Sequence, residues 1–178
     1  MLHVRPADPY DAAPLADILV DARIVRAVAE PDALVRQRVR DEIHAAEAAE
    51  RDIFVAEHPE RGVLGFATVD WTRDLRLGPG GLLSDLFVHS GARGEGAGSA
   101  LLERVEREAR RRGCARLVLH TGRSGEAYER GFYRKKGFVE EDALATFTRP
   151  LPPSGEPDAE VEAAADAERA EAAATHAA

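Results

Sequence analysis

The sequence from residue 86 to residue 99 reads Leu86-Phe87-Val88-His89-Ser90-Gly91-Ala92-Arg93-Gly94-Glu95-Gly96-Ala97-Gly98-Ser99. An apolar run passes here through a glycine-rich turn into a helical pattern. Glycine lacks a Cβ, so backbone N–H groups can approach an anion closely, and a helix start adds unpaired donors and partial positive charge. The segment therefore predicts a pyrophosphate site. The alternative is a tight turn that only packs the helix against the strand.

Two familiar phosphate-binding loops differ from this segment. A Walker loop ends in Lys-Ser/Thr, which is absent here, and the spacing of Gly94, Gly96 and Gly98 is not the Gly-x-Gly-x-x-Gly of dinucleotide folds. These differences disfavour nucleotide hydrolysis and hydride transfer. Binding of a nucleotide phosphate by the glycine loop alone stays open as an alternative.

The glycine loop leads into the clearest helical pattern of the sequence, predicted over residues 99–112. Leu101, Leu102, Val105 and Ala109 share one face, and Gly113 is placed to end the helix. We expect ion pairs four residues apart on the outer face: Glu103 with Arg107, Glu106 with Arg110, and Glu108 with Arg112.

Strands and helices alternate on both sides of this helix. Before it we predict strands over residues 2–5, 53–57, 63–69 and 82–88, a hairpin turn at 58–62 and a loop at 78–81. Two helices have apolar faces, made by Leu15, Ile18, Leu19 and Ala22 and by Leu34, Val35, Val39 and Ile43. After it we predict a strand over 116–120, a short helix over 126–135 and a bent strand or hairpin over 138–149. The pattern is α+β.

The composition indicates one domain over residues 1–151 and an acidic tail over residues 152–178. The tail is rich in alanine and glutamate and has little to bury, so we expect it to be disordered. It contributes −6 to the net charge of −8 and leaves about −2 for the domain, which disfavours nucleic-acid binding. Because no apolar run is as long as a membrane span, we expect a soluble cytoplasmic protein with no membrane contact.

The residues that commonly bind metals are few and scattered. Cys114 is the single cysteine, which excludes an internal disulfide, and we expect its side chain to be buried. The histidines have neither cysteine partners nor ligand spacing, so we predict no metal.

Two segments carry a resemblance to a known family. Arg93-Gly94-Glu95-Gly96-Ala97-Gly98 resembles the Arg/Gln-x-x-Gly-x-Gly/Ala signature of the GNAT N-acetyltransferase superfamily. Phe132-Tyr133-Arg134-Lys135-Lys136-Gly137-Phe138 is similar to the family's Phe-Tyr-x-Lys-x-Gly-Phe block. The resemblance implies a mixed, mainly antiparallel central sheet that splays between its fourth and fifth strands and is flanked by helices.

The resemblance also implies a site for acetyl-CoA as acetyl donor. Leu86, Phe87 and Val88 would offer backbone groups to the pantetheine arm. The pyrophosphate would lie on the glycine loop, made by Arg93, Gly94, Glu95, Gly96, Ala97, Gly98 and Ser99.

Tyr133 and Asp85 are the candidate catalytic residues. The family places a tyrosine at position 133 as the acid that protonates the departing thiolate, and its pKa suits that role; the alternative is a core tyrosine beside Phe132. Asp85 is unusual inside a strand and could attract a cationic amine, accept its proton through water, or be a structural residue. The Asp85 segment resembles polyamine and thialysine acetyltransferases, which usually have glutamate where this chain has Ser84.

Other side chains could contact the acceptor amine. His120, at the end of a predicted strand, could relay a proton or bind substrate, or could be a structural histidine. Asp70, Trp71, Arg73 and Asp74 are expected in the loop before residue 82, where they could line an acceptor pocket or cap the sheet.

We therefore expect an acetyl-CoA-dependent N-acetyltransferase that acts on an amine through a ternary complex, without a covalent intermediate on Cys114. The acceptor could be a small-molecule or a peptide amine. The alternative is a noncatalytic CoA-binding or scaffolding domain. The resemblance also makes a homodimer possible.

Overall fold

The computed structural model describes residues 1–22, 32–46 and 48–141. The chain divides into a first unit, Met1–Tyr128, and a second unit, Glu129–Ala178, and each is described by itself. The acidic tail predicted over residues 152–178 lies outside the described residues.

Five strands of the described residues form a sheet at the centre of the first unit. Its strands lie in chain order: β1 (His3–Pro6), β2 (Arg51–His58), β3 (Gly62–Asp74), β4 (Gly78–Val88) and β5 (Arg116–Leu119). Neighbouring strands from β1 to β4 are antiparallel, whereas β4 and β5 are parallel. The predicted mixed, mainly antiparallel sheet flanked by helices is confirmed.

The sheet opens between β4 and β5. Only Gly80 to Leu83 of β4 pair with β5, opposite Arg116 to Leu119. A β-bulge starts at the same point, because Thr68 of β3 pairs with Asp85 and Val69 pairs with Leu83, which leaves Ser84 as the extra residue. β4 and β5 therefore separate where β4 bends, which agrees with the predicted splaying of the sheet between these two strands.

Helices cover both faces of the sheet. α1 (Ala12–Asp21) and α2 (Asp32–Ala45) bury Leu15, Ile18, Val35 and Val39 against Val55 and Phe66. The guanidinium of Arg104 in α3 (Ala97–Arg111) lies 4.4 Å from the ring centroid of Phe54. Phe54 and Val55 are adjacent in β2, and adjacent strand residues point to opposite faces of a sheet. α3 therefore lies on the face opposite α1 and α2. α3 buries Leu101, Leu102, Val105 and Ala109, as predicted.

The loop predicted between β3 and β4 is wrong, because most of its residues belong to these two strands. Residues 78–81 are the first residues of β4, not a loop, because β3 extends to Asp74 and pairs with them. Asp70, Trp71, Arg73 and Asp74 consequently belong to β3. A Cβ on Gly81 would lie 2.9 Å from the Trp71 ring, so glycine is placed there by close packing and not by a turn.

Three other local predictions also need correction. Leu34 is 56% exposed, because the buried face of α2 is centred on its neighbour Val35. The helix expected over 126–135 is two short helices, α4 (Glu126–Glu129) and α5 (Phe132–Lys135), separated by Gly131 at a φ of 63°. Residues 138–141 form no strand, and the rest of the strand or hairpin predicted to residue 149 lies outside the described residues.

Glu108 is a buried charged residue of α3. The predicted pair with Arg112 forms at 2.9 Å, but Glu108 is buried, not on the outer face. Arg111 also binds its carboxylate, and Arg104 lies 3.3 Å away. Hydrogen bonds from Arg111 first, and then from Arg112 and Arg104, lower the pKa of Glu108 to about 2 against the desolvation that burial imposes.

Candidate active site

The open part of β4 presents backbone groups that its neighbouring strands leave free. Asp85 to Val88 pair with β3 on one side, and no described strand pairs with their other side. Leu86, Phe87 and Val88, the residues expected along the pantetheine arm, are half-buried there. An extended, amide-containing ligand can lie against such an edge as an added strand would.

The glycine loop begins at the same end of β4. Gly94 and Gly96 have φ values of 82° and 92°, a region that residues with side chains rarely adopt. Gly96 precedes the first residue of α3, and no side chain of the described residues caps this helix start. The N–H groups of Ala97, Gly98 and Ser99 have no acceptor within the helix, so they can bind an anion. A Cβ at Gly94 or Gly96 would meet no described atom within 4 Å, so there is open space at these two glycines.

Ion pairs and hydrogen bonds fix the glycine loop and the residues just before it within the first unit. Arg61, in the turn between β2 and β3, binds Glu95 at 2.5 Å and the carbonyl of Gly91 at 3.0 Å. Arg93 binds Glu126 at 2.6 Å, so this predicted cofactor residue makes an ion pair that fixes the turn.

Asp21, at the end of α1, also holds this segment. It accepts hydrogen bonds from the backbone N–H of Ser90 at 2.6 Å and from its hydroxyl at 2.7 Å. These bonds hold the pKa of Asp21 below its usual range. Sequence reasoning missed Asp21, Arg61 and Glu126, because their partners are distant in the chain and no local pattern links them.

Asp85 is the first residue of β4 after the bulge, and its side chain is half-buried. Burial raises the pKa of its carboxyl group, whereas a hydrogen bond from Thr68 and the positive charge of Arg51 lower it; the negative charge of Asp70 raises it further. A carboxylate with a raised pKa is a better proton acceptor than an exposed one. The surroundings of Asp85 are therefore compatible with its predicted role as a base.

His120 lies where β5 ends. It directly follows Leu119, the last residue of β5 that pairs with β4, and its side chain is exposed. Ser84 likewise follows Leu83, the last residue of β4 that pairs with β5. Both strands therefore begin to separate at these two positions.

Tyr133 belongs to the second unit, in α5. Its ring packs edge-on against Phe132 and Phe138, at centroid distances of 5.2 and 6.2 Å. Burial raises the pKa of the phenol, so Tyr133 keeps its proton at neutral pH.

A separate cleft of about 770 Å³ lies at the other end of the sheet, at the start of β4 and the end of α3. Trp71, Arg73, Arg112 and the half-buried Cys114 line it, and none of the predicted cofactor-binding residues does. Among residues 1–22, 32–46 and 48–141, no cluster of histidine, cysteine or acidic side chains is suited to a metal ion. None of the described helices has both the length and the apolar composition that a membrane-spanning segment needs.

Comparison with known proteins places this geometry in context. Residues 15–138 match the acetyltransferase (GNAT) family, and this range includes both the glycine loop and Tyr133. Glucosamine 6-phosphate N-acetyltransferase 1 from rice (Oryza sativa subsp. japonica) is 34% identical over 108 residues, which are 59% of this chain and 63% of the rice protein. The chain thus spans less than two thirds of that relative.

Solved structures share the fold at lower sequence identity. A transcriptional regulator from Bacillus halodurans C-125 has a TM-score of 0.70 at 24% identity, over 85% of this chain and all of that protein. A predicted acetyltransferase from Clostridium acetobutylicum, solved with acetyl-CoA, has a TM-score of 0.62 at 18% identity, over 83% of this chain and 96% of that protein.

Proposed function

Because this chain belongs to the acetyltransferase (GNAT) family, we propose that it transfers an acetyl group from acetyl-CoA to an amine through a ternary complex. One observation carries the proposal: the open edge of β4 leads directly to the uncapped start of α3. The first feature suits the amide-containing arm of the donor, and the second suits its pyrophosphate. Neither a Walker loop nor a dinucleotide loop combines them.

The proposed donor site consists mainly of backbone groups. Leu86, Phe87 and Val88 would bind the pantetheine arm, and the loop from Arg93 to Ser99 would bind the pyrophosphate. Acetyl-CoA, when bound, supplies the thioester whose acetyl group is transferred. The ion pairs of Arg61 with Glu95 and of Arg93 with Glu126 hold the loop in shape before the donor arrives, which reduces the entropy lost on binding.

Two side chains are proposed to move protons. An amine attacks only in its neutral form, so the ammonium must first lose a proton, and Asp85 is the candidate acceptor, directly or through water. Tyr133 is the candidate donor to the departing thiolate, because its phenol is protonated at neutral pH. His120 is proposed to contact the acceptor at the mouth of the opening.

The first acceptor to test is an amino sugar phosphate, since the rice relative is named for glucosamine 6-phosphate. Polyamines, amino acids, aminoglycosides and protein amino groups are the competing acceptors. Polyamines are less favoured, because Ser84 stands where the polyamine enzymes usually have glutamate. We also propose that the protein is cytoplasmic. We further propose that it forms a homodimer, and the molar mass measured by light scattering would test this oligomeric state.

Thiol release from acetyl-CoA, measured against a panel of these amines, tests the proposal. Thermal shifts with CoA, ATP and NAD are recorded on the same protein. Stabilisation by CoA together with thiol release that depends on one amine would support acetyl transfer. Stabilisation by ATP without stabilisation by CoA would refute the donor site, and CoA binding without turnover of any amine would favour a noncatalytic CoA-binding domain.

A further inference from the structure

A chain of polar side chains crosses the sheet and ends at the β4 bulge. It begins on α2, where Glu42 binds Arg51 of β2 at 2.6 Å. Arg51 binds Asp70 of β3 through its Nε at 2.6 Å. The other carboxylate oxygen of Asp70 accepts a hydrogen bond from the hydroxyl of Ser84, the extra residue of the bulge. One helix and three strands are thus connected to the point where β4 bends.

Asp70 is the central member of this chain. Its carboxylate binds Arg51 with one oxygen and Ser84 with the other, so it connects a fixed cation to the bulge. A β-bulge changes the direction of the side chains that follow it, and Asp85 is the next residue of β4. Movement of Ser84 would therefore redirect Asp85 and change the width of the opening toward β5.

We propose that Asp70 is a positioning residue for the candidate base Asp85: held between Arg51 and Ser84, its carboxylate fixes the β4 bulge and supplies negative charge beside Asp85. The inference rests on the proposed acetyl transfer, in which Asp85 accepts the proton of the amine. Asp70 itself touches neither substrate. It acts through the direction and the proton affinity of Asp85.

Asp70 and Arg51 have opposite effects on the pKa of Asp85, because their charges have opposite signs. The described groups that influence the Asp85 carboxyl are Arg51 on β2 and Thr68 and Asp70 on β3. Glu42 of α2 acts on it through Arg51. Removing the charge of Asp70 removes a repulsion and also leaves Arg51 less neutralised, so the pKa of Asp85 falls. Removing Arg51 removes an attraction, so the pKa of Asp85 rises.

Two variants test this opposition. In Asp70→Asn the acid limb of the kcat profile should move to lower pH by about 0.5 to 1 unit, because Asp85 ionises more easily. The plateau of kcat should fall by about tenfold, since a weaker and less well-placed base transfers the proton more slowly. The KM for acetyl-CoA should change less than twofold, because the glycine loop is intact. In Arg51→Met the same limb should move to higher pH.

Asp41→Asn is the matched control, because Asp41 lies on α2 beside Glu42, is exposed and binds only Gln37 among the described residues. It should leave the pH profile unchanged. Carbon-13 NMR titration of the Asp85 carboxyl group gives a readout that does not require acetylation. If the wild-type protein acetylates no amine, the proposed function fails, but this titration still tests the coupling. Shifts of the same sign in Asp70→Asn and Arg51→Met, or no shift in either, would overturn the inference.

Discussion

Replacing Glu108 by glutamine should destabilise the fold in a strongly pH-dependent way. Glu108 is a buried residue of α3 and binds Arg111, Arg112 and Arg104. Glutamine has nearly the same shape but no charge, so the substitution removes the ionic part of these contacts and leaves the packing. The cluster joins the end of α3 to the sheet, because Arg112 also binds Asp52 of β2 at 3.0 Å.

The lowered pKa of Glu108 sets the size of the effect. A fall from the usual 4.5 to about 2 corresponds to about 3 kcal/mol of stability at neutral pH, as an upper limit. The side chain of Arg111 is 69% exposed, so solvent screening reduces this contribution to about 1 to 2 kcal/mol. Because the folded-state pKa is depressed, the contribution is present above pH 4.5 and is lost as the pH falls toward 2.

Urea denaturation followed by circular dichroism, at several pH values between 7 and 3, measures this dependence. At pH 7 the variant should be less stable than the wild type by about 1 to 2 kcal/mol, and the gap should narrow steadily below pH 4.5. Glu106→Gln is the matched control, since among the described residues Glu106 pairs only with Arg110 on α3 and should contribute only about 0.3 to 0.5 kcal/mol. An equal gap at pH 7 and pH 3, or a loss no larger than that of Glu106→Gln, would refute the reasoning.

Three further substitutions test the candidate site. Gly96→Val should weaken CoA binding at least tenfold by calorimetry, about 1.4 kcal/mol, because valine is strained at a φ of 92°; unchanged affinity would argue against the loop as the pyrophosphate site. Tyr133→Phe should lower kcat by about 10²- to 10⁴-fold with CoA affinity nearly unchanged, and near-full turnover would make Tyr133 a packing residue. Asp85→Asn should lower kcat similarly and raise the Tm at neutral pH: burial raises the pKa of Asp85, so its ionised form costs the folded state stability above that pKa. The gain in Tm should vanish below pH 3.8, where the carboxyl group is protonated in both states.

The predictable parts of the fold are those that local sequence specifies. The apolar face of α3 and the glycine loop before it depend on neighbouring residues, and both are found where the sequence predicts them. The glycines and the proline of residues 78–81 predict a loop, whereas pairing with β3 and the packing of Gly81 against Trp71 make these residues a strand. Long-range partners override local turn preference at this point.

The side chains around the candidate site show the same division. Asp85 could be singled out because a carboxylate inside a strand is unusual. Its neighbour Asp70 could not be assigned to the sheet, since its role depends on Arg51 and Ser84, which lie on other strands. Asp21 and Arg61 are missed for the same reason, because their partners, Ser90 and Glu95, are far away in sequence.

The short pairing between β4 and β5 also bears on aggregation. A strand side without a partner can accept a strand from another chain, and folded proteins guard such sides with inward-pointing charges. Among the described strands, none covers Ser84 to Val88 on the side facing β5, and Asp85 is the one charged residue in that stretch. A ligand bound along this side would occupy the same backbone groups. Below the unfolding temperature, solutions of the protein with saturating CoA should therefore become turbid more slowly than solutions without CoA. Solutions of the Asp85→Asn variant should become turbid faster than those of the wild type.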